Sequence, residues 1–208
     1  MLINILSCCS GKSSLVSAVL NLIERSGTIE IDGYDPKDLP PQLVRSRIAV
    51  IPQDPVILPG TVRDNIIPPD LVITRHEGAA TDEEVISVLR DLYIWEHIRD
   101  HGGLAVRFSD MEFSHGQNQL VALARAVMHN RLVGTRIVIM DEATSHLDYE
   151  ADKITQEYLM RAFEQCTVLN ITHREDGFPK AGCVMRLENG RFSVSCCEEG
   201  EGSLSEKL

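Results

Sequence analysis

A chain of 208 residues, 43% hydrophobic and 5% aromatic, is long enough for one well-packed domain and has a globular rather than a fibrous or disordered make-up. Its net charge of -11 comes without a Lys/Arg cluster, which excludes the basic face that a nucleic acid partner needs. Its six cysteines follow no metal-ligand or redox spacing, two pairs being sequence neighbours, and no apolar run approaches the ~20 residues of a membrane-spanning helix.

In chain order, Leu2 to Leu6 reads as a short strand, and Lys12 to Ile23 as a helix with Leu15, Val16, Val19, Leu20 and Ile23 at helical spacing. Gly27 to Gly33 alternates with period two and is predicted to be a strand. Pro40 and Pro41 open a short helix through Arg47, and the apolar run Ile48 to Ile51 follows as a strand. From Thr61 the strand-like runs give way to helical stretches, which predicts a helical subdomain over about 61–130. Within it Thr81 and Glu84 make a capping box, while His101 to Phe113 has no period and reads as loop. Ser114 and Gln117 make a second capping box in front of the stripe Leu120, Leu123, Ala124 and Val127. Arg136 to Met140 is a buried type of parallel strand, Tyr149 to Phe163 a helix, and Thr167 to Ile171 another strand. Val184 to Leu187 and Arg191 to Val194 form a hairpin about Asn189-Gly190, and the Gly, Ser and Glu of the 196–208 tail predict disorder. Strands alternating with helices imply an α/β sheet with helices on its faces.

Two segments carry the chemistry expected of a phosphate site. Gly11-Lys12-Ser13-Ser14 stands between a strand and a helix, where backbone N–H groups and the helix dipole hold phosphate, Lys12 reaches the terminal phosphates and Ser13 binds Mg²⁺. Asp141 and Glu142 follow a buried strand at its C-terminal end, the edge at which open α/β sheets bind ligands. Asp141 suits a magnesium ion and Glu142 a general base for water. Taken singly, each segment also fits a plain helix start or a pair of surface acids.

In combination with Phe113-Ser-His-Gly-Gln117 and the run Met140-Asp-Glu-Ala-Thr-Ser-His-Leu-Asp148, the chain resembles the ATPase domain of ABC transporters over about Ser10 to Arg174. Within that family it is most similar to second nucleotide-binding domains of the C (multidrug-resistance-protein) subfamily, with its beginning cut off. The resemblance implies a P-loop NTPase core with a parallel sheet flanked by helices, an ABC-type helical subdomain, and one ABC ATPase domain over 1–195. ATP and Mg²⁺ are the implied cofactors. Ser10, Gly11, Lys12, Ser13 and Ser14 would hold one nucleotide with catalytic help from Gln53, Glu142 and His173, and Ser13, Gln53 and Asp141 would serve the metal. Ser114, Gly116 and Gln117 would grip the nucleotide of a second ABC domain in a head-to-tail dimer. The implied partners are that domain and the transmembrane domains of an exporter of organic anions, conjugates or drugs, which would place the chain on the cytosolic face of a membrane.

The chain departs from the family pattern at Leu6 and Cys9, which stand where glycines are usual, and a side chain at a strained backbone angle there would cost roughly 1–3 kcal/mol. Two other readings stay open: a truncated, catalytically impaired nucleotide-binding module, and a soluble ABC ATPase.

Overall fold

Runs of Ile, Val and Leu supply the strands, because branched apolar side chains suit a pleated surface covered on both faces. The computed structural model describes residues 1–7, 11–68, 80–173, 182–188 and 191–196. Its strands are β1 (Leu2–Ser7), β2 (Ile48–Ile51), β3 (Ile137–Asp141), β4 (Thr167–Thr172), β5 (Cys183–Glu188) and β6 (Arg191–Cys196). They form one six-stranded sheet in the order β2-β3-β4-β1-β5-β6. β1 runs parallel to both neighbours, β4 and β5, and β3 parallel to β4, while β6 closes one edge antiparallel to β5. The helices are α1 (Lys12–Val19), α2 (Pro41–Arg47), α3 (Val62–Ile66), α4 (Asp82–Asp91), α5 (Trp95–Asp100), α6 (His115–Val133) and α7 (Tyr149–Ala162). This is an α/β protein with a mostly parallel sheet flanked by helices. No helix among the described residues is long and apolar enough to cross a membrane.

The chain divides into two compact units. The first comprises Met1–Ala49, Arg136–Glu142 and Gln165–Leu208 and holds most of the sheet. Its core is built from the strands: Ile5, Val138, Ile139, Met140, Val168 and Ile171 are all buried. Inside it the buried Asn170 side-chain amide donates to Asn4 Oδ1 at 3.1 Å, across directly paired positions of β4 and β1. A slip of one residue would strand both amides against apolar neighbours, so the pair helps set the register. Away from the sheet, Asp35 ties a turn together. Burial works against its charge, but the Lys37 backbone N–H and the Arg25 and Lys37 side chains more than offset this and hold its carboxyl down at about 2.

The second unit comprises Val50–Thr135 and Ala143–Glu164. Its helices start where short polar side chains satisfy orphan N–H groups. Thr81 accepts from the Glu84 N–H and Glu84 from the Thr81 N–H, closing the expected box ahead of α4. A box absent from the sequence reading, Thr61 with Asp64, opens α3 in the same way. α6 ends where Gly134 turns left-handed at φ 69 and its N–H reaches the Asn130 carbonyl at 2.8 Å.

Three sequence expectations need correction. The strand predicted over Gly27 to Gly33 does not form: the residues make only an isolated bridge between Ile31 and Tyr34. Alternation supplies the pattern of a half-buried strand, but a strand also needs a partner edge, and Ile29 and Ile31 find no full burial here. The helix predicted to reach Ile23 stops at Val19, with Asn21 left-handed at φ 53 and Leu22 and Ile23 exposed. Asn tolerates that conformation, so the chain turns away and the last two apolar residues lose the helical face. The stretch His101 to Phe113 is not plain loop; it contains 3-10 turns at Gly103–Ala105 and Phe108–Met111. The predicted hairpin is present as β5 and β6, with its Asn189-Gly190 turn outside the described residues. β6 runs through Cys196, and the expected tail beyond it also lies outside them.

Candidate functional site

The first unit gathers its polar residues at the C-terminal end of the parallel strands. β3 delivers Asp141 and Glu142, β4 leads directly to His173, and Lys12 opens α1. Lys12 Nζ lies 2.5 Å from Glu142 Oε1, and His173 Nε2 lies 2.9 Å from that same oxygen. Lys12 Nζ also meets His173 Nε2 directly. One imidazole nitrogen thus faces both an ammonium and a carboxylate: protonated, it donates to Glu142, and bare, it accepts from Lys12. Lys12 and Glu142 are largely buried, their side chains 16% and 14% exposed, whereas His173 is about half exposed.

Backbone geometry holds this cluster. Glu142 sits in the left-handed region at φ 49, and its N–H donates to the Ile171 carbonyl at 2.9 Å, which extends the β3–β4 pairing by one residue. A long side chain at such an angle is strained, and strain of this kind concentrates at functional sites. Next to it, burial pushes the Asp141 carboxyl above its ordinary range; Lys12 and His173 pull it down, and Glu142 adds to the rise. Asp141 is therefore a partly covered carboxylate whose charge is opposed chiefly by burial and supported by Lys12 and His173, and a cation bound beside it would offset the cost of that burial.

At the start of α1, Gly11 caps the helix at φ 136, an angle that L side chains rarely adopt, and a Cβ there would stand 3.1 Å from Leu187 Cδ2. No side chain caps this helix and no acid lies in its first turn. Its positive end is accordingly available to an anion, with Ser13 and Ser14 exposed beside Lys12. Ser10 and Cys9 lie outside the described residues. Leu6 lies within β1, paired with Thr172 and Arg186, and extended strand backbone suits any residue, so the strain expected at that position does not arise.

A bare helix start, a lysine and a half-buried carboxylate fit a magnesium-bound triphosphate. Among the described residues no group of three or more His, Cys, Asp or Glu could cage a metal. A magnesium ion at Asp141 would complete its shell with phosphate oxygens and water, as that ion commonly does.

The other expected site residues belong to the second unit. Ser114 caps α6, accepting from the Gln117 N–H at 3.2 Å, and Gln117 Oε1 accepts from the Ser114 N–H at 2.8 Å. Gly116 has a steric role of its own, since a Cβ there would lie 3.0 Å from the His146 carbonyl oxygen. His146 is further held by Gln119 Oε1, 3.2 Å from its Nδ1 and 3.4 Å from its backbone N, and its ring meets that of His115 at a tilt of 59°, centroids 4.0 Å apart. Gln53 is exposed, and its carbonyl accepts from Gln119 Nε2 at 3.5 Å.

Sequence reasoning missed Arg125. Its Nε donates to the Asn65 carbonyl at 2.5 Å and its NH1 to the Val56 carbonyl at 2.8 Å, and burial pushes its guanidinium down from the ordinary range. Buried Asn65 closes the same segment by accepting from the Leu58 N–H and donating to the Leu58 and Thr61 carbonyls. Together they fix the chain that follows Gln53. An arginine beside the apolar stripe of α6 was the only signal, and its carbonyl partners lie some sixty residues away.

With this geometry in place, comparison with known proteins finds the family model described as "ABC transporter" matching residues 8–145. The chain is 40% identical over 183 residues to ABC transporter atnG of Emericella nidulans, covering 87% of this chain and 11% of that protein. It is 38% identical over 186 residues to ATP-binding cassette sub-family C member 4 of Mus musculus and 36% identical over 186 residues to the Homo sapiens protein of that name; each match covers 88% of this chain and 13% of the relative. The chain thus spans little more than a tenth of the length of the curated relatives it matches.

Proposed function

Because the chain belongs to the ABC transporter family, resembling its C-subfamily nucleotide-binding domains, we propose that it binds and hydrolyses ATP as half of a paired site and couples the reaction to export through transmembrane domains. The observation that carries this reading is the contact of Lys12, Glu142 and His173 at the strand ends, beside the uncapped start of α1.

In this reading the start of α1, with Ser10 to Ser14, holds the phosphates of one nucleotide. Lys12 exchanges its bond to Glu142 for one to phosphate, and the exchange frees the Glu142 carboxylate to take a proton from water. His173 stands within reach of Lys12 and Glu142, suited to sense the terminal phosphate and steady the charge that develops there. Asp141 and Ser13 would hold a magnesium ion, which when bound neutralises phosphate charge and orients the water. Ser114, Gly116 and Gln117 present a second helix start to a nucleotide carried by another ABC domain, in a head-to-tail pair. The organic anions, conjugates or drugs moved by such a transporter, and its place at the cytosolic face of a membrane, belong to the same proposal.

The test is Mg-ATP binding and turnover by the purified chain, alone and mixed with a second ABC domain. Binding that disappears in Lys12→Ala, with nucleotide trapped by Glu142→Gln, is the expected result. A chain that ignores Mg-ATP in both settings would sink the reading and favour a non-catalytic module.

A further inference from the structure

The first unit also holds an open cavity of about 320 Å³, beside the starts of β2 and β3 and so at the opposite end of β3 from Asp141. That size sits at the low end of small-molecule sites, roughly 300–1,000 Å³. Pro36, Leu39, Val44, Ile48 and Ile137 make apolar walls. Tyr34 and Leu43, which also line it, stay 64% and 45% exposed, so apolar surface at its mouth is left uncovered.

Two exposed arginines, Arg47 and Arg136, also border the cavity. Arg47 ends α2 and Arg136 directly precedes β3; the Arg136 N–H donates to the Arg47 carbonyl at 3.4 Å, which sets the two residues side by side. Neither guanidinium makes an ion pair with a described residue. Asp32 is the acid among the lining residues, so their balance is positive, in a chain whose net charge is -11. Two unpaired planar donors beside an apolar hollow complement a carboxylate head joined to a hydrocarbon tail: the head takes charge-assisted, two-pronged hydrogen bonds, and the tail leaves water.

We propose that this cavity binds a small amphipathic carboxylate, such as a medium-chain fatty acid anion, with its head at Arg47 and Arg136 and its tail along Leu39, Val44 and Ile137. The site shares no residue with the Lys12 cluster, and the proposal stands whether or not the chain hydrolyses ATP.

The experiment titrates the full 208-residue chain with decanoate and with the uncharged decanol, by calorimetry and by amide NMR shifts. Decanoate is expected to bind with shifts confined to residues 31–48 and 136–137, and decanol roughly tenfold more weakly, the worth of one charge-assisted hydrogen bond. The double variant Arg47→Ala with Arg136→Ala should lose about the same factor, and Leu39→Trp, which fills the hollow and keeps both arginines, should bind neither compound. Melting curves matching the parent show that the variants fold, and the comparison of decanoate with decanol needs no variant. Equal affinity for the two compounds, shifts centred elsewhere, or no binding at millimolar decanoate overturns the proposal. So does an acidic peptide that displaces decanoate and binds tighter, because the occupant would then be a polypeptide.

Discussion

Two helix starts in this protein meet the same electrostatic problem in opposite ways. α1 begins at Gly11 with no side-chain cap, so the positive end of the helix faces outward beside Lys12. α6 begins at Ser114 with a complete capping box, so its first donors are already taken by Ser114 and Gln117. An anion arriving at α1 gains bonds without breaking side-chain caps, whereas one arriving at α6 must first displace two hydrogen bonds or find donors they leave over. The difference shows that a helix N-terminus becomes a ligand site through what it lacks as much as through what it offers.

The comparison can be broken in several places. The largest effect is expected at the open start: with ATP turnover measured, Glu142→Gln should lower the rate by roughly 10²–10⁴, the usual worth of a general base. An unchanged rate would detach the cluster from catalysis. Gly11→Ala should destabilise the chain by about 1–3 kcal/mol in denaturant titration, because alanine is strained at φ 136 and its Cβ presses on Leu187. At the closed start, Ser114→Ala should cost about 1 kcal/mol by the same titration, the ordinary worth of an N-cap. Should the two substitutions cost the same, the contrast between a strained open start and a relaxed capped one would lose its energetic basis.

The smallest expected effects are in pH dependence, and they differ in sign. Burial raises the Asp141 carboxyl above its ordinary 3.8, so the folded chain keeps that proton longer than the unfolded one. Its contribution to stability is intact below 3.8 and falls as pH climbs through the raised value. Asp141→Asn should therefore gain stability relative to the parent as pH rises through that window, while weakening any response to magnesium. Asp35, held at about 2, contributes stability above 3.8 that is lost as pH falls toward about 2, so Asp35→Asn should lose most at neutral pH and least in acid. Parallel curves for the two variants would contradict the opposite environments assigned to these carboxyls.

Some of this was legible residue by residue. The capping boxes at Thr81 and Ser114 join positions three apart, so a local pattern suffices to find them. The run Ile137 to Met140 ending in Asp141 announced both a buried strand and the acids at its end. Gly27 to Gly33 misled because alternation describes one face of a strand and says nothing of the neighbour it must pair with. Arg125 stayed hidden because its meaning lies in carbonyls of a distant segment.

The sequence by itself determined the capped helices after Thr81 and Ser114, the apolar strands from Ile48, Ile137 and Thr167, and their order, since these follow from nearby residues: periodicity, caps and short motifs. Tertiary structure alone decided that β1 sits between β4 and β5, and that Lys12 and His173, 161 residues apart, share Glu142. It also decided that Arg47 and Arg136 border one cavity. Strand order and side-chain convergence are set by burial and pairing summed over the whole chain, and no local stretch of sequence carries that sum.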